Sequence, residues 1–379
     1  MVKFIDLYRI YERYRDEIDE VIRSCFAHQR WVFGPELEAF ESEVRDFLGV
    51  RYAMGVSSGT DALVLSLRAL AIKRGQEFFS RDQLVITTPF TFVATAESII
   101  RSGASILFVD IEEEDLNISV SAIEEAVKRY KGQVVGVVAV HLYGRPCRIE
   151  EISELCSRYN LFLVEDCAQA FGAEYNGRKV GGFGDVGAFS FFPTKNLPGI
   201  GDGGLISTND PELYEILIAL RNHGGKDKYN IRHIGYNARL DTIQSAVLRI
   251  YLRHIKELIS SRREIGEAYN KAFSQFTEKL RLPPVSNHTY NLYTLQILDN
   301  RDRLVSELEK AGIGYGIYYP VLVSEMPPIK NYALSLPLPI SQKAQERVLS
   351  LPCFPFMSSS EVQQVIDTVK FYVSGQACV

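Results

Sequence analysis

The sequence predicts an α/β protein with a large domain, built on a mostly parallel mixed sheet flanked by helices, and a small α+β domain. Two observations carry the fold class. Short apolar runs alternate with stretches of helical apolar spacing, and the runs are uninterrupted, as in strands buried on both faces. The length of 379 residues suits two cores better than one. We expect the domains to cover residues 1–250, including an N-terminal helix, and residues 251–379.

The first half predicts two helices followed by a strand–helix alternation. The helices are Tyr8–Phe26, with apolar residues at helical spacing, and Pro35–Phe47, with proline in its first turn. The strands that follow are Tyr52–Val56, Leu84–Thr88, Ser105–Val109, Val134–Val140 and Leu161–Val164. The helices between them are Thr60–Ala71, Phe92–Ile100, Ser121–Tyr130 and Arg148–Tyr159. This order is typical of a parallel sheet covered by helices.

The second half departs from this alternation. Glycines crowd between Gly172 and Gly204, and a long helical stretch runs from Leu240 to about Phe276. The later elements are a strand at Leu292–Ile297 and helices near Arg301–Lys310 and Ser360–Tyr372. We place the domain boundary inside or near the long helical stretch.

Composition and charge narrow the classes of function. Acidic residues number 47 and basic residues 42, and the net charge of −5 lacks the basic footprint of a nucleic-acid-binding protein. Met1–Ile10 does not resemble a signal peptide, and no apolar run approaches about 18 residues, so we expect a cytoplasmic protein without membrane contact. The six cysteines form no C-x-x-C pair and the histidines lack metal-ligand spacing. We therefore expect reduced thiols and no metal site.

Two glycine-rich segments match the pattern G-x-G-x-x-G. They are Gly182–Gly187 and Gly199–Gly204. A dinucleotide fingerprint lies between a strand and a helix, whereas these segments lead into predicted strands at Val186–Phe192 and Leu205–Thr208. The pattern therefore disfavours a nicotinamide or flavin enzyme and favours glycines in tight turns.

Three other segments of the large domain carry candidate chemistry. Ser57–Ala62 joins a strand to a helix, and its small residues suit either an anion at a helix start or an ordinary N-cap. Glu165 and Asp166 end a buried strand, where a carboxylate needs either a cationic ligand or a structural ion pair. Lys195 lies between an apolar strand and a glycine-rich loop. It is either a solvated loop lysine or an amine able to form a Schiff base.

Together these segments predict a pyridoxal 5′-phosphate site. That cofactor requires a phosphate anchor, a carboxylate that keeps its pyridine nitrogen protonated, and a lysine that forms a Schiff base. The three candidate segments supply one of each.

Specific motifs along nearly the whole chain carry a family resemblance. These landmarks are Ile5–Leu7, Gly34–Pro35, Ser58–Leu63, Pro89–Phe92, His141–Gly144, Glu165–Gln169, Ser190–Lys195, Gly201–Gly204, Gly235–Asp241 and Leu351–Pro355. The chain resembles the sugar aminotransferases of the DegT/DnrJ/EryC1/StrS family. The resemblance implies the aspartate-aminotransferase fold, which is pyridoxal-phosphate fold type I.

The resemblance also implies roles for residues around the ring of the cofactor. Lys195 matches the catalytic lysine that holds the cofactor, and Asp166 matches the carboxylate that faces the pyridine nitrogen. Gln169 matches the side chain near the phenolic oxygen. Phe90 matches the aromatic residue stacked on the ring, although core packing would also explain an aromatic residue there.

Further matches concern the phosphate and the second subunit. Gly59, Thr60 and Ser190 match phosphate contacts, and Asn237 matches a phosphate contact that comes from a neighbouring subunit. The resemblance therefore implies a homodimer with shared sites. Arg239 matches a group that binds the carboxylate of the amino donor, with a surface arginine at a helix start as the alternative.

The sugar side departs from the family pattern. Tyr319 matches a tyrosine near the sugar, but Tyr318 stands where relatives often have His, and Val321–Val323 contains no His. The resemblance leaves the substrate contacts of this loop open.

The resemblance implies transfer of an amino group from L-glutamate to a keto group of a UDP- or dTDP-linked sugar, with pyridoxamine 5′-phosphate as the intermediate cofactor form. Lys195 favours this reaction over sugar dehydration, since relatives that dehydrate sugars replace that lysine with His. The short interval between Arg221–Gly224 and Asn237–Asp241 favours amination at C3. The alternatives are a 4-keto-sugar aminotransferase, a pyridoxal-phosphate-dependent sugar dehydratase and an inactive regulatory member of the fold.

Overall fold

A computed structural model describes residues 1–225, 227 and 229–374. In the described chain the helices are α1 Tyr8–Arg13, α2 Arg15–His28, α3 Pro35–Leu48, α4 Gly59–Lys73, α5 Val93–Arg101, α6 Val120–Arg129, α7 Ile149–Tyr159, α8 Pro211–Arg221, α9 Thr242–Arg253, α10 Ile255–Phe273, α11 Arg301–Lys310, α12 Pro327–Lys330, α13 Pro339–Arg347 and α14 Ser359–Ser374. The strands are β1 Tyr52–Val56, β2 Leu84–Thr87, β3 Ser105–Phe108, β4 Val134–Val140, β5 Phe162–Asp166, β6 Glu174–Tyr175, β7 Arg178–Lys179, β8 Val186–Ser190, β9 Gly204–Thr208, β10 Leu280–Arg281, β11 Tyr293–Ile297, β12 Ala333–Ser335 and β13 Val348–Leu351.

One mixed sheet organises most of the molecule. Its strand order is β1-β9-β8-β5-β4-β2-β3-β12. The strands from β8 to β12 in that order run parallel, whereas β9 is antiparallel to both β8 and β1. The predicted α/β class with a mostly parallel mixed sheet is therefore confirmed.

The sheet is buried on both faces, as the uninterrupted apolar strands predict. On one face Val138 and Val164 pack into a core with α4. On the other face Val137 and Leu163 pack with α6 and α7. Because successive side chains of a strand point to opposite faces, each strand contributes to both cores.

A second sheet lies in the C-terminal part of the chain. Its antiparallel order is β10-β11-β13. It packs with α10, α11 and α14 around a core of its own that includes Tyr269, Leu304 and Val369. Two segments do not follow the division of the chain at residue 250. Strand β12, from the C-terminal part, joins the large sheet, and Val2, from the N-terminal part, pairs with Ile313. The domain limits at residues 250 and 251 remain a prediction.

Both long predicted helices are broken at one residue. Tyr14 separates α1 from α2, and His254 separates α9 from α10. The two rings stack with centroids 4.2 Å apart, and the Tyr14 hydroxyl donates to Glu257 over 2.8 Å. The breaks therefore face each other, and tertiary packing overrides a helical periodicity that continues through both positions.

Several elements of the structure were not predicted. Helix α8 has recognisable start signals, an N-cap at Asp210 and a proline in its first turn. Strands β6, β7 and β10 have two residues each and β12 is mostly exposed, so their apolar pattern is weak, whereas the buried strand β13 is apolar but only four residues long. In the described part of the chain, none of the helices combines the length and the apolar character needed to span a membrane.

The described cysteines are free and buried, in agreement with the expectation of thiols. They are Cys25, Cys147, Cys156, Cys167 and Cys353. Cys378, which the same expectation included, lies outside the described residues.

Candidate active site

A cavity of about 520 Å³ opens at the carboxyl ends of the parallel strands. Asp166 ends β5, Ser190 ends β8 and Val140 ends β4, and all three line the cavity. Ligands of open α/β sheets bind at this edge. The cavity brings together seven of the predicted site residues, which are Gly59, Thr60, Asp166, Gln169, Ser190, Lys195 and Tyr319.

The start of α4 forms one end of the cavity. Ser58 is its N-cap, and its hydroxyl accepts the backbone N–H of Asp61 over 3.0 Å. A Cβ added to Gly59 would lie 2.6 Å from the Cβ of Ser190, so only glycine lets the helix start approach β8 so closely. The first N–H groups of a helix lack intrahelical partners, and this end of the cavity therefore suits a phosphate. The N-cap and the anion site thus coexist in one segment.

Asp166 presents a buried carboxylate to the cavity. Its Oδ2 accepts from the Thr95 hydroxyl over 2.8 Å, and its Oδ1 accepts from the backbone N–H of Ala168 over 3.1 Å. Burial raises the pKa of Asp166, while the hydrogen bonds from Thr95 and Ala168 and the charge of Lys195 oppose that shift. Among the described residues no cationic side chain forms an ion pair with it, so the carboxylate is available to a cationic ligand.

Glu165, its neighbour, faces away from the cavity and is fully buried. Its two oxygens accept the backbone N–H groups of Gly181, Phe183 and Gly184 over 2.7–2.8 Å. The Nε2 of His141 lies 3.1 Å from the same carboxylate. Strand alternation therefore separates the two predicted carboxylates: Asp166 serves the cavity and Glu165 holds the structure behind it.

Lys195 lines the same cavity and lies on the loop that follows β8. Burial lowers the pKa of Lys195 to about 8, and the negative charge of Asp166 limits the shift. A lysine with an ordinary pKa is almost wholly protonated at neutral pH. The lowered pKa gives Lys195 a much larger fraction of the free amine, which is the form that attacks a carbonyl carbon.

Gln169 and Tyr319 form a hydrogen-bonded pair in the wall. The Gln169 amide donates to the Tyr319 hydroxyl over 3.1 Å and accepts the backbone N–H of Tyr143 over 2.7 Å. Burial raises the pKa of Tyr319, so its hydroxyl stays protonated at neutral pH. The hydroxyl of Tyr143 in turn donates to the carbonyl of Tyr318, which fixes the loop that departs from the family pattern.

The stacking role of Phe90 remains a prediction that the cavity wall does not support. Phe90 is fully buried, does not line the cavity, and packs edge-on against Tyr319 at a centroid distance of 6.1 Å. Phe92, two residues later, lines the cavity and is 58% exposed. Since Phe92 is the exposed ring beside the helix start of α5, it is the better candidate for a stacking partner of a planar ligand.

Asn237 and Arg239 do not line the cavity of their own chain. Asn237 is exposed and pairs with Asn222, and the Arg239 guanidinium donates to the Asn222 side chain over 2.9 Å. Their segment lies beside the cavity edge, since the backbone N–H of Ser57 donates to the carbonyl of Ala238 over 3.1 Å. The roles of Asn237 and Arg239 toward a ligand stay predictions.

Two groups of potential metal ligands lie close in space, although the sequence spacing did not predict them. They are Cys25, His28 and Glu36, and His141, Glu165 and Cys167, with ligand atoms within 4.8 Å of one another. In each group the histidine Nδ1 accepts a backbone N–H, from Arg30 or Cys147. The proton then resides on Nε2, which faces the glutamate, so a structural hydrogen bond explains both groups.

The cavity fits pyridoxal phosphate in three respects. The glycine-lined start of α4 can take the phosphate, the carboxylate of Asp166, which forms no ion pair with the described residues, can take the protonated ring nitrogen, and Lys195 can take the aldehyde carbon. Phe92, Thr95 and Asn291 also line the cavity, although the sequence did not predict them there. Only Phe92 had a local signal, because it stands in the same motif as Phe90.

Comparisons with known proteins agree with this geometry. The model of the DegT/DnrJ/EryC1/StrS aminotransferase family matches residues 12–370. A UDP-N-acetyl-3-dehydro-alpha-D-glucosamine 3-aminotransferase of Acidithiobacillus ferrooxidans is 36% identical over 375 residues, covering 99% of this chain and 98% of that protein.

Two solved structures are similar along nearly the whole chain. A DegT DnrJ EryC1 StrS aminotransferase from Brucella abortus has a TM-score of 0.92 and 32% identity, covering 99% of this chain and 100% of that one. NtdA from Bacillus subtilis with bound cofactor PMP has a TM-score of 0.88 and 26% identity, covering 96% and 82%.

Proposed function

We propose a reaction for this chain, which belongs to the DegT/DnrJ/EryC1/StrS aminotransferase family. With pyridoxal phosphate as its cofactor, it transfers an amino group to a nucleotide-linked sugar. The donor is L-glutamate, which leaves as 2-oxoglutarate, and the acceptor is the C3 keto group of a UDP- or dTDP-linked sugar. The overall reaction is balanced, because the amino group of L-glutamate and the carbonyl oxygen of the sugar change places.

One observation carries the proposal: Lys195, Asp166 and the start of α4 meet in a single cavity. Each of the three has an ordinary structural explanation when taken alone. Their convergence supplies an amine of lowered pKa, a carboxylate that no described cationic side chain pairs with, and an anion site, all within the reach of one ligand.

The chain's own residues move and hold the protons. Pyridoxal phosphate, when bound, supplies an electron sink that stabilises a carbanion at the substrate carbon. Lys195 Nζ takes the proton from the α-carbon of the amino donor and, in the second half of the reaction, delivers a proton to the sugar carbon that receives the amine. Asp166 holds the positive charge of the ring nitrogen, and Thr95 orients that carboxylate. The Gln169–Tyr319 pair closes the wall beside Lys195 against water.

Two observations support amination at C3. The Acidithiobacillus relative is named a 3-aminotransferase of a UDP-linked 3-keto sugar and aligns over 99% of this chain. The interval between Arg221–Gly224 and Asn237–Asp241 is also short, as in the 3-keto-sugar enzymes that the chain resembles.

The positions of Asn237 and Arg239 support a homodimer with shared sites. Both lie outside the cavity of their own chain, although the family resemblance assigns them to a ligand. In the proposed dimer, Asn237 of one subunit contacts the phosphate in the other, and Arg239 binds the carboxylate of the donor.

Product analysis tests the reaction. The purified protein is incubated with pyridoxal phosphate, L-glutamate and a small panel of 3-keto and 4-keto nucleotide sugars, and the products are identified by NMR. We expect an amine at C3 and one 2-oxoglutarate for each amino sugar. Amination only at C4, a deoxygenated sugar, or the absence of any product with the 3-keto sugars would overturn the proposal.

Complementation tests the shared site. A Lys195→Ala chain and an Asn237→Ala chain are each expected to have low activity alone. When they are mixed, unfolded and refolded together, mixed dimers contain one site with both native residues, and activity should recover to about a quarter of the native value on random pairing. No recovery, or a monomer by sedimentation, would contradict the dimer.

A further inference from the structure

Two buried threonines extend the hydrogen bonding of Asp166. Thr91 and Thr95 are 2% and 1% exposed, and both line the cavity together with Asp166. The Thr95 hydroxyl donates to Oδ2 of Asp166 over 2.8 Å, and the hydroxyl oxygens of Thr91 and Thr95 lie 3.0 Å apart. The two hydroxyls and the carboxylate therefore form a continuous chain of hydrogen bonds, of which the proposed reaction uses Thr95 but not Thr91.

The direction of this chain follows from its protons. A threonine hydroxyl has a single proton to donate, and an ionised carboxylate can only accept. Because Thr95 gives its proton to Asp166, the Thr95 oxygen must accept in its bond with Thr91. Donation therefore runs from Thr91 to Thr95 and from Thr95 to Asp166.

Thr91 holds the hydroxyl of Thr95 in this direction. If Thr95 donated to Thr91 instead, Asp166 would lose a hydrogen bond, and the Thr91 proton would have no acceptor among the described residues. The backbone also fixes the pair, because Thr95 lies in the first turn of α5 and its N–H donates to the carbonyl of the N-cap residue Phe92 over 3.2 Å. The Thr95 hydroxyl is thus preorganised toward the carboxylate.

The bond from Thr95 counteracts the burial of Asp166. Burial raises the pKa of Asp166, and the hydrogen bond from Thr95 is the strongest of the effects that lower it. The backbone N–H of Ala168, Lys195 and His141 act in the same direction as Thr95. A fixed Thr95 hydroxyl therefore helps to keep the carboxylate ionised, which is the state that holds a protonated pyridine nitrogen.

We propose that Thr91 is a positioning residue for the cofactor. It acts through Thr95, whose hydroxyl it holds toward Asp166, and it thereby keeps the carboxylate charged and fixed in position for the ring nitrogen. This inference rests on the proposed function, which places that nitrogen at Asp166.

Titration of the cofactor-free protein with pyridoxal phosphate tests this role. Thr95→Val removes a hydrogen bond to a charged group at similar volume and should raise Kd about tenfold or more. Thr91→Val removes only the neutral bond to Thr95 and should raise Kd about threefold. The double variant should bind as Thr95→Val does, because Thr91 has no connection to Asp166 without the Thr95 hydroxyl. Thr91→Ser keeps a hydroxyl and should stay within about twofold of the native Kd.

The absorbance of the bound cofactor across a pH series gives a second readout. A carboxylate that holds less negative charge stabilises the protonated ring less, so the pH at which the ring loses its proton should fall. The fall should be larger in Thr95→Val than in Thr91→Val, and absent in Thr91→Ser. A merely structural threonine would lower the unfolding temperature without moving this midpoint.

Thr87→Val is the matched control. Thr87 is fully buried in β2, does not line the cavity, and donates its hydroxyl to the carbonyl of Val138 over 2.9 Å. This variant loses one buried hydroxyl, as Thr91→Val does. It should lower the unfolding temperature and leave both Kd and the pH midpoint unchanged.

The outcomes separate this inference from the proposed function. A native Kd and midpoint in Thr91→Val, additive effects in the double variant, or an equal rise of Kd in Thr87→Val would overturn the role of Thr91. Thr91→Ala replaces Thr91→Val if the valine variant does not fold. Failure of the native protein to aminate any nucleotide sugar, with cofactor binding intact, would instead overturn the proposed function.

Discussion

The proposed cofactor end and the proposed sugar side of the cavity are assembled in different ways. Asp166 and Ser190 end two adjacent parallel strands, and Lys195 lies on the loop after the second of them. The proposed sugar side takes Ile5, Asn291 and Tyr319 from segments that are far apart in sequence. The first arrangement follows from strand order alone, whereas the second depends on how distant segments pack. We therefore expect substitutions at the cofactor end to abolish chemistry and those on the sugar side to alter selectivity.

The largest effect is expected at Lys195. Lys195→Ala removes the group that holds and transfers the proton, so turnover should fall at least about a thousandfold. The absorbance of lysine-bound cofactor should disappear. Lys179→Ala, at a lysine paired with Glu174 away from the cavity, is the control and should leave both quantities unchanged. Substantial turnover in Lys195→Ala would remove the main support for the cofactor end.

Adjacent carboxylates provide the next comparison. Asp166→Asn should lower kcat about a hundredfold or more with little change in stability, because an amide cannot hold the charge of the ring nitrogen. Glu165→Gln should instead lower the free energy of unfolding by about 1–3 kcal/mol, because its NH₂ group would face a backbone N–H of Gly181, Phe183 or Gly184. Turnover and thermal unfolding of both variants separate these effects, and the reverse pattern would show that the two roles are exchanged.

Variants of two phenylalanines test which of them stacks on the cofactor ring. Phe92→Ala removes an exposed ring and should weaken cofactor affinity about tenfold, with little loss of stability. Phe90→Ala empties a fully buried position and should cost about 3–5 kcal/mol of stability. Cofactor titration and chemical unfolding provide the measurements. If Phe90→Ala alone weakened cofactor binding in a stably folded protein, Phe90 rather than Phe92 would be the stacking residue.

The smallest effect is a shift in pH dependence. Because burial lowers the pKa of Lys195 to about 8, the rate at which the cofactor-free protein takes up pyridoxal phosphate should rise with pH and level off above about 8. In Asp166→Asn the midpoint should move lower, since the negative charge that raises the pKa of Lys195 is gone. Stopped-flow absorbance across a pH series measures both. A midpoint near 10.5, the value of an ordinary lysine, would contradict the burial of the amine.

The sequence predicted the fold class and the cofactor end because both depend on local patterns. Buried parallel strands are visible as apolar runs, and their carboxyl ends meet at one edge of the sheet. The sequence therefore predicts that Asp166 and Lys195 lie at the same edge. The motif did not single out Phe92, because the turn after β2 buries Phe90 and exposes the ring two residues later. A motif gives the residue types of a turn but not their orientation.

Other parts of the site depend on contacts that no local pattern records. Asn291 reaches the cavity because the 289–292 segment packs on Gly144 and Arg262, far away in sequence. The breaks at Tyr14 and His254 arise from a stack between two helices. The proposed roles of Asn237 and Arg239 involve a second chain, which the sequence of one chain specifies only through family resemblance.

The backbone around Glu165 has a consequence for how glycine-rich motifs are interpreted. Gly181, Phe183 and Gly184 turn their N–H groups toward a common point, the geometry of an anion-binding nest. The segment that mimics a dinucleotide fingerprint, together with Gly181 just before it, therefore binds a carboxylate, that of the protein's own Glu165. An internal carboxylate occupies the nest permanently, so the loop serves as a fixed brace beneath Asp166 and is closed to phosphate.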